Sequence, residues 1–246
     1  MSPLPLLLAL AMAADPVAEL LATLDGLRAG TPVRAQISYR FELVNGEGEE
    51  AIRDEGAVSA EASEGPEGVT VRWSPELVER AREEARRRSV DPEARTPTRR
   101  GMTELDAMAV ARRLDAGREL RHTLAQAELV EDRPDALDGA PARLLVLRIP
   151  PRLGKQERRY VKEAETTARL WLGTDGVPLA AELHTRARGR IFLVIGFELE
   201  DRDRLRFARL EDRLVAVRHE RDHRAQGAGE HQTHRATTAV EPMLLR

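Results

Sequence analysis

The chain contains no cysteine among its 246 residues. That excludes disulfides, thiolate metal sites and a lipid attached through a cleavage-site cysteine. In an oxidising compartment, stability must then come from the core alone. Aromatic residues are only 3% of the sequence and are scattered along it. Base-stacking surfaces and sugar platforms need several rings on one face, so neither is expected. Lysine is almost missing: Lys155 and Lys162 stand among basic residues that are otherwise arginine. The formal net charge of −3 gives no electrostatic case for a nucleic-acid partner. Long hydrophobic runs are missing too. The apolar stretch at the N-terminus ends at Asp15, short of the ~20 residues a spanning helix needs, so no transmembrane span is expected.

What is present begins with that short stretch. Leu4 to Met12 is apolar, and Ala11-Met12-Ala13 places small residues at alternate positions. This is the pattern of a secretory signal peptide over residues 1–13, with the mature chain starting near Ala14. A soluble exported protein is the expectation. Charged residues are 33% and hydrophobic ones 41% of the chain, which suits one domain over 14–246.

Asp15 and Pro16 read as the cap and first position of a helix whose stripe is Leu20, Leu21, Leu24 and Leu27. Val33 to Val44 then alternates apolar and polar residues, a long half-buried strand. Return strands are expected near Glu50–Ala62 and Val69–Trp73. Ser74-Pro75 opens a charged surface helix, Leu77 to Arg88, with Glu76–Arg80, Glu83–Arg87 and Glu84–Arg88 at pairing distance. Ser89 to Gly101 reads as a loop. A second helical block starts at Thr103, with Asp106 as a cap and Gly117 as a break. From Ala127 onward the pattern is β, with turns at Asp138-Gly139, Gly173–Gly176, Ala187–Gly189, Asp201–Asp203, Glu211-Asp212 and Gly227–Gly229. Successive short turns mean an antiparallel meander, which must curl to bury one face.

Three stretches carry a family resemblance. Leu20 to Leu27 running into Val33–Gln36 looks like an opening helix and first strand. Leu170-Trp171-Leu172-Gly173-Thr174-Asp175-Gly176-Val177-Pro178-Leu179 and Asp138-Gly139-Ala140-Pro141-Ala142 look like recurring hairpins. The order resembles the LolA/LolB-like lipoprotein-carrier superfamily of bacterial envelopes. The resemblance implies an α+β fold: a long antiparallel meander curled into an incomplete barrel. An N-terminal helix and a helical insertion at about 74–126 would cover its concave face. It implies a periplasmic location and a lipid, acyl chain or lipoprotein as partner. The carrier's proline-and-aromatic strand motif is not matched, beyond Arg72-Trp73-Ser74-Pro75.

A half-barrel leaves an apolar concavity, and its expected lining is Ile37, Tyr39, Phe41, Trp73, Trp171, Ile191, Leu193, Ile195 and Phe197. The competing reading is that these residues form a packed core against Leu20, Leu24, Leu105 and Met108. An envelope protein partner, met through Leu77–Arg88 and the loop to Gly101, is the alternative function. A further alternative is metal binding by the C-terminal histidines. A hairpin symmetric about Ala228 would set His223 opposite Thr233 and His231 opposite Ala225. His219, His223 and His231 would then share one face, with His234 on the other. Cross-strand spacing is long for one ion, so no metal and no cofactor are expected. Ser74 reads as a cap, Ser38 as an outward strand residue, and no Gly-x-Ser-x-Gly or phosphate loop is present, so no enzyme is expected. Export predicts that chain recovered from an expressing bacterium begins at Ala14; N-terminal sequencing that returns Met1 would sink that reading.

Overall fold

The alternation after Pro32 is realised as β1 (Val33–Asn45), whose odd-numbered residues from Val33 to Leu43 are all buried. A computed structural model describes residues 15–27, 29–151, 153–191 and 195–244. The signal-peptide stretch 1–13 lies outside the described residues. Helix α1 (Pro16–Asp25) precedes β1, and the Asp15 carboxylate accepts the Val17 N–H at 3.0 Å. A helix this short is not stable alone in water. Burial of Val17, Leu20 and Leu24 holds it to the sheet, each such leucine contributing about 1.5–3 kcal/mol.

The other strands are β2 (Ile52–Gly65), β3 (Gly68–Trp73), β4 (Glu128–Leu137), β5 (Ala140–Ile149), β6 (Val161–Leu172), β7 (Pro178–Ile191), β8 (Ile195–Leu210), β9 (Arg213–Gly227) and β10 (Glu230–Leu244). They form one ten-stranded sheet in the order β3-β2-β1-β10-β9-β8-β7-β6-β5-β4, with every described pairing antiparallel. The sheet does not close: β3 and β4 are its free edges. The fold is therefore α+β, built on an incomplete antiparallel barrel. The first strand pairs with the last, Ile37 opposite Val240, so the chain enters the sheet near its middle.

Edge is joined to edge by α2 (Pro75–Val90), α3 (Pro97–Glu104), α4 (Ala107–Leu114) and α5 (Ala116–Leu124); α6 (Glu157–Tyr160) is a short turn before β6. Ser74 accepts the Leu77 N–H and Asp106 accepts the Ala109 N–H, as the capping signals require. Residues 89–101 are not one loop. Helix α2 continues to Val90, and Pro97 opens α3. The reason is Glu84, which is 3% exposed and accepts the Thr98 and Arg99 N–H groups at 3.0 and 3.1 Å. Its carboxylate caps α3 from another helix, so α3 needs no cap in its own sequence. Glu84 therefore does not serve the expected pair with Arg88; Glu79 instead meets Arg82 and Arg86. The break expected at Gly117 falls at Asp115, which caps α5. Gly117 lies inside α5, with its Cβ position 3.7 Å from Leu27 and Leu214.

Two turns expected in the meander are absent. Ala187–Gly189 belongs to β7, and Asp201-Arg202-Asp203 sits mid-way along the 16-residue β8. The core has two parts. Leu20, Leu24, Leu120 and Leu124 pack against Leu145, Leu147, Leu170 and Leu214. Leu105, Val110 and Leu114 pack against Ile37, Tyr39, Val58 and Val215.

Between them lies Arg213, 1% exposed. Its Nη1 donates to Glu64 and to the Leu114 carbonyl at 3.3 Å. Its Nη2 donates to the carbonyls of Ala29 and Thr31 at 3.0 and 2.5 Å. Removing it leaves four acceptors in or beside the core without their donor. Arg213→Met should cost about 3–5 kcal/mol in urea denaturation, with part returned by adding Glu64→Leu; a loss under about 1 kcal/mol would count against this role.

Candidate functional site

The helices cover one face of the sheet, but only at one end of the long strands. Beyond Tyr39 and Thr238 that face stays apolar on β1, at Phe41 and Leu43, and turns polar on β8, β9 and β10. Register places Phe41, Ala236, Arg221 and Asp203 in one cross-strand row, and Leu43, His234, His223 and Asp201 in the next. His219 Nε2 lies 2.6 Å from Asp203, and His223 Nδ1 lies 3.0 Å from Asp201. Arg221 donates twice to Asp201, at 3.0 and 3.1 Å. His234 Nε2 lies 3.3 Å from the Tyr39 hydroxyl. Arg113 of α4 donates to Thr238 Oγ1 at 3.3 Å and to its own helix at the Ala109 carbonyl.

The electrostatics follow from partial burial beside fixed charges. Burial pushes the Tyr39 phenol well above its ordinary value, assisted by the Glu104 carboxylate, so it stays a hydroxyl donor. Burial pushes Asp201 up, but the Arg221 hydrogen bonds and the charges of Arg221 and His223 outweigh it and hold the carboxyl low. Burial lowers His234 below the ordinary imidazole value. These polar groups are mutually paired, so the shelf is a bonded layer rather than an open set of reactive groups.

The histidine hairpin differs from the expected register by one residue. Ala228-Gly229 forms a two-residue turn with both φ angles positive, 55° and 81°. Gly227 then pairs with Glu230, His223 with His234 and Gln226 with His231. His231 moves to the opposite face, where its Nδ1 is 3.1 Å from Glu47, and His234 joins His219 and His223. The metal set His219, His223 and His231 is thus split across two faces. Among the described residues, no three His, Asp or Glu side chains are arranged to hold one ion.

The expected cavity residues are also divided. Ile37, Tyr39 and Phe41 are 0%, 3% and 2% exposed and are packed by Leu105, Val110 and Leu114. Trp73 is half-buried at the end of β3, against the same cluster. Trp171 lies between the buried Leu170 and Leu172 and so faces away from the helices. Its Nε1 donates to Asp135 at 3.2 Å, and Arg169 stands over its ring at 5.3 Å. Phe197 pairs with Gly189 and Gly227, and its ring occupies the space a side chain at Gly189 would need. Leu193 lies outside the described residues, as do the side chains of Ile191 and Ile195. The concave face near the helices is a filled core.

Open space lies on the face turned away from the helices. A trough of about 1470 Å³ is bordered by Glu163, Arg186, Arg188, Glu198, Glu200 and Arg224. A second, of about 770 Å³, is bordered by Arg40, Glu42, Arg202, Arg204, Glu220 and Asp222. Opposite charges face each other across strands there: Arg204 meets Glu182, Arg188 meets Glu163 and Arg235 meets Glu42. Glu200 is the densest node, with His184 Nε2 at 2.7 Å, Arg202 at 2.9 Å and Arg186 at 3.3 Å. Sequence reasoning missed this face because its lining comes from six strands. The one local signal was the run of arginines alternating with acids in 198–206.

No family model matches the chain, and no curated protein matches it. Among solved structures, the crystal structure of MucB in complex with MucA(peri) aligns over 93% of this chain and 94% of that chain, at 12% identity and a TM-score of 0.19. At that score the alignment establishes no shared fold. Among the described residues, no helix is long and apolar enough to cross a membrane.

The His184 hydrogen bond, with Arg202 and Arg186, holds the Glu200 carboxyl down at about 2 against an ordinary 4.5. A depressed carboxyl contributes its stabilisation above the ordinary value and loses it as pH falls towards the folded value. Carbon-detected NMR should therefore find Glu200 titrating near 2, and moving up in His184→Gln; an ordinary midpoint in the unsubstituted protein would refute the network.

Proposed function

We propose that this chain is a non-enzymatic binding protein of the bacterial envelope whose partner is a polypeptide laid across the open face of the sheet. The observation that carries the reading is the trough of about 1470 Å³ with its walls of paired arginine and glutamate. An acyl chain needs apolar walls to leave water, and these walls are charged. An extended polar segment finds cross-strand charges of both signs, each already half-solvated. The residues that would have lined a lipid pocket, Ile37, Tyr39 and Phe41, are consumed in packing the helices. Within the LolA-like resemblance, a protein cargo is therefore favoured over a free lipid. The absence of an enzymatic role is supported by how the polar groups of the covered face are used. Asp201, Asp203, His219 and His223 are bonded to one another or to Arg221. Export is supported by the leader-like stretch Leu4–Met12.

The test uses the full chain in a bacterial envelope, with a photo-crosslinking residue in place of Gln226 in the trough. The expected result is a discrete protein adduct that disappears when Arg186→Glu and Arg224→Glu are combined. Lipid adducts alone, adducts indifferent to the charge reversal, or uptake of a fluorescent fatty acid by the purified protein would overturn the reading.

A further inference from the structure

We propose that His234 is a proton-operated latch between the sheet and the helical cover formed by α3 and α4. The inference goes beyond the binding reading, because it concerns the opposite face of the sheet and stands or falls on its own measurements. Its ground is a junction of five elements at one imidazole. Tyr39 of β1 reaches His234 of β10 at 3.3 Å. Phe41 of β1 lies edge-on to the same ring, with centroids 6.2 Å apart. Arg100 of α3 stands 5.7 Å from the centre of the Phe41 ring and pairs with Asp54 of β2 at 3.4 Å. Arg113 of α4 holds Thr238, four residues along β10 on the same face as His234.

The charges that face this junction have been placed by the fold. The cations are Arg100 from α3, Arg113 from α4 and Arg221 from β9, with His223 beside it. The anions are Glu104 at the end of α3, Asp54 of β2, and Asp201 and Asp203 of β8. Of these, Asp54 is committed to Arg100, Asp201 to Arg221 and His223, and Asp203 to His219. Glu104 acts on His234, Tyr39 and Arg113 alike. In the tautomer protonated at Nδ1, the neutral imidazole accepts the Tyr39 hydroxyl hydrogen at Nε2. A protonated imidazole carries a hydrogen there, so the Tyr39 hydroxyl must turn from donor to acceptor, and the new cation stands beside Arg221, Arg100 and His223 with Glu104 as its counter-charge. Both changes act on the seam that α3 and α4 close over β1 and β10.

The direction of the effect follows from burial, which holds folded His234 below its ordinary value of 6.5. The unfolded or opened form then binds the proton better. Stability of the seam is complete above the ordinary value and is lost as pH falls through the folded value.

Hydrogen–deuterium exchange, corrected for intrinsic rates, tests it at about pH 7.5 and about pH 5.5. Peptides covering 97–114 should open several-fold more readily at the lower pH in the unsubstituted protein. The change should vanish in His234→Gln, which keeps an acceptor but cannot titrate, and peptides of α1 should not respond in either. His219→Gln and His223→Gln should retain the response. No pH response in 97–114, a response unchanged in His234→Gln, or one abolished by His219→Gln or His223→Gln instead would overturn the proposal. Should His234→Gln fold poorly, the His234 ring resonances of the unsubstituted protein decide: their titration must track the opening of 97–114, and a midpoint apart from it overturns the latch.

Discussion

The structure depends on one buried guanidinium. Arg213 opens β9 immediately after the Glu211-Asp212 turn, and its donors reach three separate parts of the chain: the linker at Ala29 and Thr31, Glu64 of β2, and the last carbonyl of α4. Asp212 adds to the same grip by accepting the Gly30 and Thr31 N–H groups. Ala29 is held at φ 48°, a left-handed conformation that a side-chain-bearing residue adopts only when its surroundings demand it. A turn between two late strands thus fixes the path by which the first helix enters the first strand. Burying a charge is unfavourable unless its partners are in place, so this contact forms only when the linker, the sheet and the helical cover have all arrived.

That demand explains the topology. Because β1 lies between β2 and β10, the chain starts near the middle of the sheet and ends there. The two free edges are joined only through the helices, which must then cross one face. They are short, and each is docked by few residues, so they cover only one end of strands up to sixteen residues long. Under the helices the covered face is aliphatic. Beyond them it cannot be, since exposed aliphatic rows would invite association. Asp201, Asp203, Arg221, His223 and His234 occupy that stretch, and the fold and its polar shelf have one cause.

Much of this was legible from local chemistry. Caps at Asp15 and Ser74 give two helix starts, because a capping bond spans only two or three residues; Asp106 is a cap as well, but the block expected from Thr103 begins after it, Thr103 belonging to α3. The alternation of Val33 to Leu43 gave β1, and the Asp138-Gly139 turn gave the β4–β5 hairpin, with Asp138 at φ 53° and Gly139 at 85°. The failures share a property: the deciding partner is far away in sequence. Asp201-Arg202-Asp203 carries the composition of a turn, yet it runs straight because His219, Arg221 and His223 supply partners from the next strand. Residues 97–104 form a helix because Glu84 caps them from outside. A turn centred on Ala228 and one between Ala228 and Gly229 differ by half a step, and that half-step reverses every side chain of β10 relative to β9. The cavity residues were chosen for being apolar, but Trp171 falls on the other face by the same rule of alternation.

The one-residue sensitivity also accounts for the density of charge on the open face. A strand with one aliphatic side has its register fixed by burial, since a slip exposes the whole set. The stretches 201–204 of β8, 219–224 of β9 and 231–235 of β10 have no such side: both faces are polar, and strands of that kind slide easily. Here the register is specified by pairs that are correct only in one alignment: Arg204 with Glu182, Arg188 with Glu163, and Glu200 with His184 and Arg186 on one face, and Asp201 with Arg221 and His223 on the other. Exposed pairs of this kind are each worth well under about 1 kcal/mol, so their stabilising effect is small. Their effect on specificity is larger, because a slip by one residue sends each charge to the face opposite its partner. The same lattice that holds the strands in register is what borders the trough, and a partner laid there would meet charges that the fold had already fixed in place.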